Sequence, residues 1–439
     1  MKVEDIESEV LERLRPDDEE RNNVARVSRE LLVRVEEEIE GDYEPEIVGS
    51  VSKGTYLKDP DIDVFLKFPL ITSREVMEKK ILDAGRNILK DVKEKYAEHP
   101  YIYGKYEGYE VDIVPCYDLE DMSQMKSAVD RTPFHTEYVK EHLEEKQKKE
   151  AMLLKAFLEG IGAYGAKAKV WGFSGYLCEL LILYYGTFKK TLEEASGWKI
   201  GHTIEMVEGE KDSKDPFVVI DPVDPGRNVA APVSKENFSL FVLSSKLFLD
   251  DPSLDFFFPN EIKTLEKDEL IDKIDERGTE LLGLRFPRPD VVEDNLYPQI
   301  QKCERRLVHH LSHRDFEILH SDYFVEEDTL LLILELVSGK LPEMEKHRGP
   351  PVWVGNTEEF IEKYGSEVYL EGDRVWVDRD REYSDVKKAV TDIMEKIDLG
   401  SDISGFLPEN TEFLSNDDMV SDEKRALTEF FDRRFPWER

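Results

Sequence analysis

The strongest constraint on the fold is a pair of aspartates at the start of an apolar segment. Residues 49–68 read GSVSKGTYLKDPDIDVFLKF, with Asp61 and Asp63 where the apolar run Ile62–Phe68 begins. Side chains alternate between the two faces of a strand, so both carboxylates should point to the same side. Like charges held so close repel each other unless a cation lies between them. The pattern therefore predicts a strand that carries a cation site where it begins.

A third aspartate in a second apolar segment extends this candidate site. Asp112 lies in EVDIVP, on the second strand of a hairpin that we expect from Tyr101–Tyr106 and Tyr109–Cys116. If that strand neighbours the first one, three carboxylates converge, and oxygen ligands of this kind suit Mg²⁺. Such a site can hold two metal ions about 4 Å apart, one activating an attacking hydroxyl and the other holding a triphosphate.

The loop before the paired aspartates has the composition of a phosphate-binding turn. Gly49 permits a close backbone approach, Ser50 offers a hydroxyl and an amide, and Lys53 supplies a positive charge. An isolated Asp-x-Asp is often no more than the solvated edge of a loop. The ordered combination of Gly-Ser, paired acids and third acid favours a functional site.

The charge balance limits how the chain could bind a nucleic acid. Its 439 residues carry a formal net charge of −37, which repels phosphate and leaves only a local basic groove for RNA. The best basic stretch is QKCERRLVHHLSHRD at 301–315, although a mixed-charge helix face is the commoner explanation of such a run. Its candidate phosphate-binding side chains are Lys302, Arg305, Arg306, His309 and Arg314.

Cysteine usage and apolar runs indicate a cytoplasmic protein with no membrane partner. The three cysteines form no CxxC pair, so we expect neither a disulfide framework nor a zinc knuckle. The opening MKVEDIESEV lacks the apolar core of a signal peptide. The longest apolar stretches, such as Tyr176–Tyr185, are too short to span a bilayer.

The length of the chain predicts about three domains, and its hydrophobic periodicity predicts an α+β fold. Two helices should precede a small mixed sheet. A further helix should start at a capping box of Thr72 and Glu75 and run to about Tyr96. Helices should follow the sheet, residues 198–231 look irregular, and strands and helices alternate in the rest of the chain.

Motifs around the aspartates resemble those of a known superfamily. Gly-Ser followed by Asp-x-Asp is the signature of the nucleotidyltransferases that include DNA polymerase beta. Further stretches, in order along the chain, resemble the class I, archaeal family of CCA-adding enzymes. They are YAEHPYIYGKYEGYEVDIVPCY at 96–117, SAVDRTPFH at 127–135, GFSGYLCELLI at 172–182 and DPVDPGRNVAA at 221–231. The resemblance is specific over residues 45–232 and continues more weakly at 285–299.

This resemblance implies a fold, a reaction and partners. The fold would be a polymerase-beta-like catalytic head at 1–135, a helical, nucleotide-selecting neck at 136–255, and an α/β, tRNA-binding body and tail at 256–439. The reaction would be the Mg²⁺-dependent, template-independent addition of C, C and A from CTP and ATP to the 3′ end of tRNA. A homodimer would also be in keeping with the family.

The resemblance also implies roles for individual residues of the head. Asp61, Asp63 and Asp112 match the family's catalytic, metal-binding acids. Ser50 and Lys53 match its triphosphate-binding loop. Relatives often carry arginine at the second of these places, so Lys53 keeps the charge but loses bidentate geometry.

Further along the chain, three residues align with family positions around the nucleotide. His135 and Lys155 match residues near the phosphates, and Tyr164 matches one near the sugar. Each has an ordinary structural alternative: His135 can be a helix N-terminal residue without a ligand, Lys155 a lysine that reaches from an amphipathic helix to solvent, and Tyr164 a packed side chain.

Arg227 matches an arginine that reads the incoming base in the family. Its planar donors can pair with cytosine O2 and N3 or with adenine N1 and N7. The alternative is a salt bridge to Asp221 or Asp224. Within GFSGYLCELLI, Glu179 could be a buried partner of another polar group. Trp171 stands where some relatives have a basic residue, so the resemblance does not extend to one RNA contact of the neck.

Two other classes of function share part of this pattern. A poly(A) polymerase or an oligoadenylate synthase would have the same head, and the Arg227 segment together with SAVDRTPFH argues against them. A non-catalytic RNA-binding scaffold could keep the fold without the chemistry. The presence of all three aspartates speaks against that alternative.

Overall fold

The computed structural model describes residues 2–39, 41, 43–96, 100–209 and 214–439. They form two compact units, Met1–Glu261 with Arg434–Arg439, and Ile262–Arg433. Both contain helices and sheets, which confirms the α+β, multidomain class expected from the sequence. Across the described ranges, no helix combines the length and apolar character needed to cross a membrane.

The first unit opens with two helices and a five-stranded mixed sheet in the order β1-β2-β5-β4-β3. Strands β2 and β5 pair in parallel, and all other neighbours are antiparallel. Helices α2 and α4 cover one face of this sheet with their buried apolar stripes. The elements are α1 (Val3–Leu14), α2 (Asp18–Glu38), β1 (Glu44–Ile47), α3 (Gly49–Lys53), β2 (Ile62–Phe68), α4 (Arg74–Ile88), β3 (Lys90–Tyr96), β4 (Pro100–Tyr106) and β5 (Tyr109–Tyr117).

The helix predicted to run from Thr72 to about Tyr96 is wrong in its second part. The N-cap of α4 is Ser73 rather than the predicted Thr72, and the helix ends at Ile88. Lys90–Tyr96 then form β3, which pairs with β4 along the sheet edge. Asp91 has a φ of 51°, and the register shifts near it, so the chain cannot continue as a helix. The charged sequence KDVKEKY resembles a helix surface, but an edge strand also tolerates charged side chains.

The rest of the first unit is mainly helical, around an aromatic core. The ring centroid of Phe157 lies 5.4 Å from that of Phe248, 5.5 Å from that of Phe257 and 5.6 Å from that of Phe188. The segment 198–231, predicted to be irregular, contains two short parallel strands, of which β7 is fully buried. The elements are α5 (Arg131–His142), α6 (Glu145–Gly160), α7 (Gly175–Tyr185), α8 (Phe188–Ala195), β6 (His202–Glu205), β7 (Phe217–Ile220) and α9 (Lys235–Asp250). The head and neck boundaries at 135 and 255 stay predictions.

Glu7 on α1 gives this unit a pH-dependent stability. Burial, with the charges of Glu150 and Glu4, raises the pKa of Glu7 from 4.5 to about 7. An acid with a higher pKa in the folded state binds its proton more tightly there. The contribution of Glu7 to the free energy of unfolding is therefore fully present below its pKa in the unfolded state. It is lost as the pH rises through its pKa in the folded state.

We expect Glu7→Gln to increase the free energy of unfolding by about 1 kcal/mol near pH 8, less than the full equivalent of the pKa shift because Glu7 is partly exposed. At about pH 4, where Glu7 is mostly protonated in both the folded and the unfolded state, the two proteins should unfold at nearly the same denaturant concentration. Urea titrations at the two pH values measure the difference. An equal gain at both would contradict this account.

The second unit is built on an antiparallel sheet in the order β14-β8-β10-β9. Helices α11 and α13 pack on one face, and α10, α14 and α15 on the other. A separate three-stranded sheet, β11-β13-β12, packs against α12. The elements are α10 (Lys267–Arg277), β8 (Glu280–Pro287), α11 (Glu293–Ser312), β9 (Ile318–Val325), β10 (Thr329–Leu336), β11 (Met344–Pro351), α12 (Thr357–Tyr364), β12 (Tyr369–Glu371), β13 (Arg374–Asp380), α13 (Val386–Lys396), β14 (Glu412–Leu414), α14 (Asn416–Asp422) and α15 (Lys424–Phe431).

Candidate active site

The parallel pairing of β2 and β5 brings two of the predicted acids together. Asp63 and Asp112 are direct partners in the register, so their side chains lie on the same face of the sheet. The alternate residues Ile62 and Val64 point into the core under α2 and α4. Asp61 comes two residues before Asp63, just outside the strand, and is exposed.

The electrostatics of this aspartate group favour a cation. Burial and the charges of Asp112 and Asp61 raise the pKa of Asp63 to about 7. Burial also raises the pKa of Asp112, whose Oδ1 is buried without a hydrogen-bond partner in the described structure. Within the described ranges, no three His, Cys, Asp or Glu side chains stand as a ready-made metal cage. The chemistry of the group fits Mg²⁺ nonetheless, because this ion prefers hard oxygen donors and one of them, Asp112 Oδ1, is buried without a hydrogen-bond partner in the described structure.

Gly49 is required by its conformation and by its contact with Asp63. Its φ is +68°, and a Cβ placed on it would lie 2.2 Å from Asp63 Oδ2. The preceding amide, that of Val48, donates to the Asp63 carbonyl at 3.0 Å. Ser50 follows in the first turn of α3 and is partly buried. The Gly-Ser turn therefore lies directly against the aspartate pair.

Replacing Gly49 by alanine should displace the Asp63 carboxylate, in addition to straining the backbone by about 1–3 kcal/mol. We expect the rate of any reaction catalysed at this site to fall about a hundredfold, because catalytic groups tolerate little displacement. The matched control is Gly108→Ala in the β4-β5 turn, where φ is +93° and no atom lies within 4 Å of the added Cβ. Similar activity losses in the two variants would show that backbone strain alone explains the effect.

Lys53 and Lys155 meet at one buried carboxylate, that of Glu179 on α7. Lys53 Nζ donates to Glu179 Oε2 at 2.5 Å, and Lys155 Nζ donates to Oε1 at 2.8 Å. Thr55 Oγ1 accepts from Lys155 at 2.9 Å and donates to Glu179 Oε1 at 2.5 Å. Burial alone would raise the pKa of Glu179, but the charges of Lys155 and Lys53 lower it to about 2. This Glu179 cluster therefore contains two lysines and a single ionised acid.

Asp221 is the centre of a second buried cluster. His135 Nε2 and Arg227 Nη1 both donate to its Oδ2 at 2.9 Å. Tyr176 Oη donates to Oδ1 at 3.1 Å, and the Val223 amide donates to the same oxygen at 3.0 Å. Burial lowers the pKa of His135 below its usual range, against the opposing effect of Asp221. In this structure Arg227 thus has Asp221, one of the two acids considered from the sequence, as its partner.

Tyr164 and Trp171 lie in the turns that precede α7. Tyr164 forms a single β-bridge with Phe173, and its hydroxyl would be 3.0 Å from a Cβ placed on Gly175, on the side where Lys155 also lies. Burial raises the pKa of Tyr164 well above its ordinary value. Trp171 has a φ of 55°, and its carbonyl accepts from the Ser234 amide at 2.8 Å.

Sequence reasoning missed the residues that connect these clusters. Tyr176 stacks on His135 with 4.0 Å between ring centroids, and Lys53 Nζ lies 5.9 Å from the centre of the same ring. Tyr176 and Glu179 are three residues apart on α7 and so share a helix face, a signal the sequence does contain. Asp130 is also buried, and it accepts from the Tyr117 amide at 2.9 Å, which ties the end of β5 to the start of α5.

Three family models match the chain in succession. The nucleotidyltransferase domain matches residues 28–135, the second domain of tRNA nucleotidyltransferase matches 149–258, and the C-terminal domain of the CCA-adding enzyme matches 277–416. The mixed sheet, its aspartate pair beside the Gly-Ser turn and these matches define the chain as a nucleotidyltransferase.

Comparison with curated relatives identifies the family to which the chain belongs within the nucleotidyltransferases. The CCA-adding enzyme of Methanosarcina acetivorans is 38% identical over 415 residues and 91% of each chain, and that of Halobacterium salinarum is 40% identical over 385 residues and 85% of each chain. The chain belongs to the CCA-adding enzyme family. A solved Cid1 poly(U) polymerase structure covers 57% of this chain at a TM-score of 0.44 and 15% identity, too distant a likeness to bear on the assignment.

Proposed function

We propose that this chain adds C, C and A to the 3′ end of tRNA from CTP and ATP, without a template, and releases pyrophosphate. The register of Asp63 with Asp112, in a chain of this family, carries the proposal. Asp61, Asp63 and Asp112 would hold Mg²⁺. When bound, Mg²⁺ lowers the pKa of the attacking hydroxyl and stabilises charge on the leaving pyrophosphate.

The Glu179 cluster is suited to binding the triphosphate of the incoming nucleotide. Lys53 and Lys155 together carry one more positive charge than Glu179 neutralises, and each ammonium has three donors. Lys53 uses one of its donors for Glu179, so its other N–H groups can donate to phosphate oxygens without breaking that bond. The three donors of Lys155 already bond Glu179 and both oxygens of Thr55, so Lys155 would act through its charge. Ser50 would add its hydroxyl from the turn before β2, and Tyr164 would lie against the sugar.

The Asp221 cluster is suited to the base and its adjoining phosphate. Arg227 is 30% exposed in its side chain and uses Nη1 for Asp221, so other N–H groups of its planar fork can reach a base. Cytosine and adenine both offer ring nitrogens or a carbonyl as acceptors. His135, held by the same carboxylate, would lie beside the phosphates.

We propose that residues 256–439 bind tRNA, with a basic groove on α11 as a contact. The groove measures about 610 Å³ and is lined by Arg305, Arg306, His309, His310, Lys396, Ile397 and Asp398. Lys302 and Arg306 both pair with Asp398, at 2.6 Å and 3.8 Å, and Arg314 pairs with Asp392 at 3.4 Å, so the mixed-charge interpretation holds for those three. Arg305 hydrogen-bonds only to Gln301 among the described residues, which leaves its charge available to phosphate.

A nucleotide-addition assay tests the proposal. Transcripts of tRNA that end before the CCA, after one C or after both are incubated with Mg²⁺ and CTP, ATP or both. We expect cytidine to be added up to the second position and stop, and one adenosine to be added only after it. Adenosine added without prior cytidine, and continuing past one residue, would favour a poly(A)-type enzyme. No incorporation of either nucleotide would favour the alternative of a non-catalytic RNA-binding scaffold.

We also propose a cytoplasmic location and a homodimer. The three cysteines, Cys116, Cys178 and Cys303, are free and buried, as thiols in a reducing compartment usually are. Analytical ultracentrifugation of the purified chain measures the oligomeric state, and a single monomeric species at micromolar concentration would exclude the dimer.

A further inference from the structure

A single carboxylate oxygen holds the residue proposed for the phosphates and the residue proposed for the base. His135 Nε2 and Arg227 Nη1 each lie 2.9 Å from Asp221 Oδ2, and the Asp221 side chain is fully buried. We infer that Asp221 is a positioning residue for nucleotide choice: it fixes the guanidinium of Arg227 and couples it to His135. The inference rests on the proposed function, in which His135 and Arg227 contact the nucleotide.

The hydrogen-bond pattern leaves Asp221 one orientation. Its two oxygens accept four donors, two each, which saturates their lone pairs. The backbone closes the same loop, because the Asp221 amide donates to the Arg227 carbonyl at 3.1 Å and the Arg227 amide donates to the Asp224 carbonyl at 2.8 Å. Arg227 is therefore held at its main chain and at its side chain. Rotation of its fork requires a buried carboxylate to lose a charged partner.

The contacts of Tyr176 extend this rigid group towards the triphosphate. The ring stacks on His135 at an interplanar angle of 18°, its hydroxyl donates to Asp221, and Lys53 lies over it. A continuous set of contacts thus runs from Lys53 to Arg227. Burial alone would raise the pKa of Asp221, but His135 and Arg227 lower it to about 2, so the carboxylate stays ionised at working pH.

A fixed guanidinium explains how one arginine can discriminate between two bases. If Arg227 could turn freely, it would follow whichever nucleotide entered and would reject neither. Held by Asp221, Arg227 presents one fixed set of donors. Only a base whose acceptors face these donors, in the pocket as the RNA 3′ end then shapes it, binds productively. The carboxylate thereby acts on selectivity without touching the nucleotide.

The adjacent acid Asp224 provides a matched control. It lies in the same turn but accepts from Arg131 Nε at 2.8 Å and contacts neither His135 nor the Arg227 side chain in the described structure. Asp221→Asn and Asp224→Asn therefore remove the same charge from neighbouring places. The first should alter nucleotide choice and the second should not.

The experiment measures kcat and KM for CTP and ATP on tRNA that ends after both cytidines, where ATP is the correct substrate. For Asp221→Asn we expect the preference for ATP over CTP, as a ratio of kcat/KM values, to fall about tenfold. In an Arg227→Ala background the same replacement should cause little further loss, because both changes remove one interaction. Normal preference in Asp221→Asn, or independent effects in the double variant, would overturn the inference.

Two controls keep the outcomes separate. If the parent chain adds no CCA, the proposed function fails before Asp221 is tested. If Asp221→Asn does not fold, as judged by circular dichroism, Tyr176→Phe replaces it, since this variant removes only one hydrogen bond from the same carboxylate. A loss of preference of about threefold is then expected, because three of the four hydrogen bonds that orient the carboxylate remain. An unchanged preference in that variant would also overturn the inference.

Discussion

Replacing Asp63 by alanine is expected to reduce magnesium-dependent nucleotide addition at least about a thousandfold. Asp63 is in register with Asp112 and in contact with the Gly49 turn, so its carboxylate is the link between the acids and the loop before them. Without it, Asp112 and Asp61 would have to hold the cation alone. Single-turnover extension of tRNA with CTP at saturating Mg²⁺ measures the loss.

The same replacement should not destabilise the chain, which separates a catalytic defect from unfolding. Burial and like charges already disfavour the ionised carboxylate, as its pKa of about 7 indicates. Removing it relieves repulsion in the absence of metal, so the thermal midpoint of Asp63→Ala should equal or exceed that of the parent. Asp118→Ala, at the exposed far end of β5, is the control and should retain full activity. Activity of Asp63→Ala within tenfold of that control would exclude the proposed metal-binding role.

Local pattern was sufficient to predict four of the five strands of the first unit's mixed sheet and the place of its acids on two of them. The strand Ile62–Phe68 and the hairpin that carries Asp112 follow from short-range alternation and a turn signal. Once these strands are neighbours, the register follows from which side chains must be buried. The error at Lys90–Tyr96 has the opposite cause. A charged segment at a sheet edge contains no apolar alternation, and its pairing depends on β4, which comes later in the chain.

The partners of the other site residues depend on tertiary contacts that no local pattern reveals. Lys53 and Glu179 are 126 residues apart in sequence, and His135 and Asp221 are 86 apart. The motifs identified these segments as important, but only the folded chain shows that each cluster is organised by one buried acid. The family resemblance gave roles to the basic side chains of the two clusters. The presence of Glu179 and Asp221 is explained by the physical requirement that buried charges be paired.

Replacing Glu179 by alanine is expected to cost about 3–5 kcal/mol of unfolding free energy, because a buried ion pair is broken from one side. Lys53 and Lys155 would keep their buried positions without a shared partner. The Glu179→Gln variant keeps the shape and one acceptor and should lose less. Glu159→Ala on α6, which removes an exposed carboxylate, is the control and should unfold like the parent. Urea denaturation followed by circular dichroism measures all three.

Activity should decline in Glu179→Gln through nucleotide binding more than through the chemical step. Burial already lowers the pKa of Lys53, and the charge of Glu179 opposes that shift. Without this charge the pKa falls further, a larger fraction of Lys53 is neutral, and the attraction for a triphosphate weakens. The KM for CTP should therefore rise about tenfold, and the rise should be larger at high pH, where the deprotonated fraction grows. A KM that equals the parent value across this range would mean that Glu179 stabilises the fold without supporting the nucleotide site.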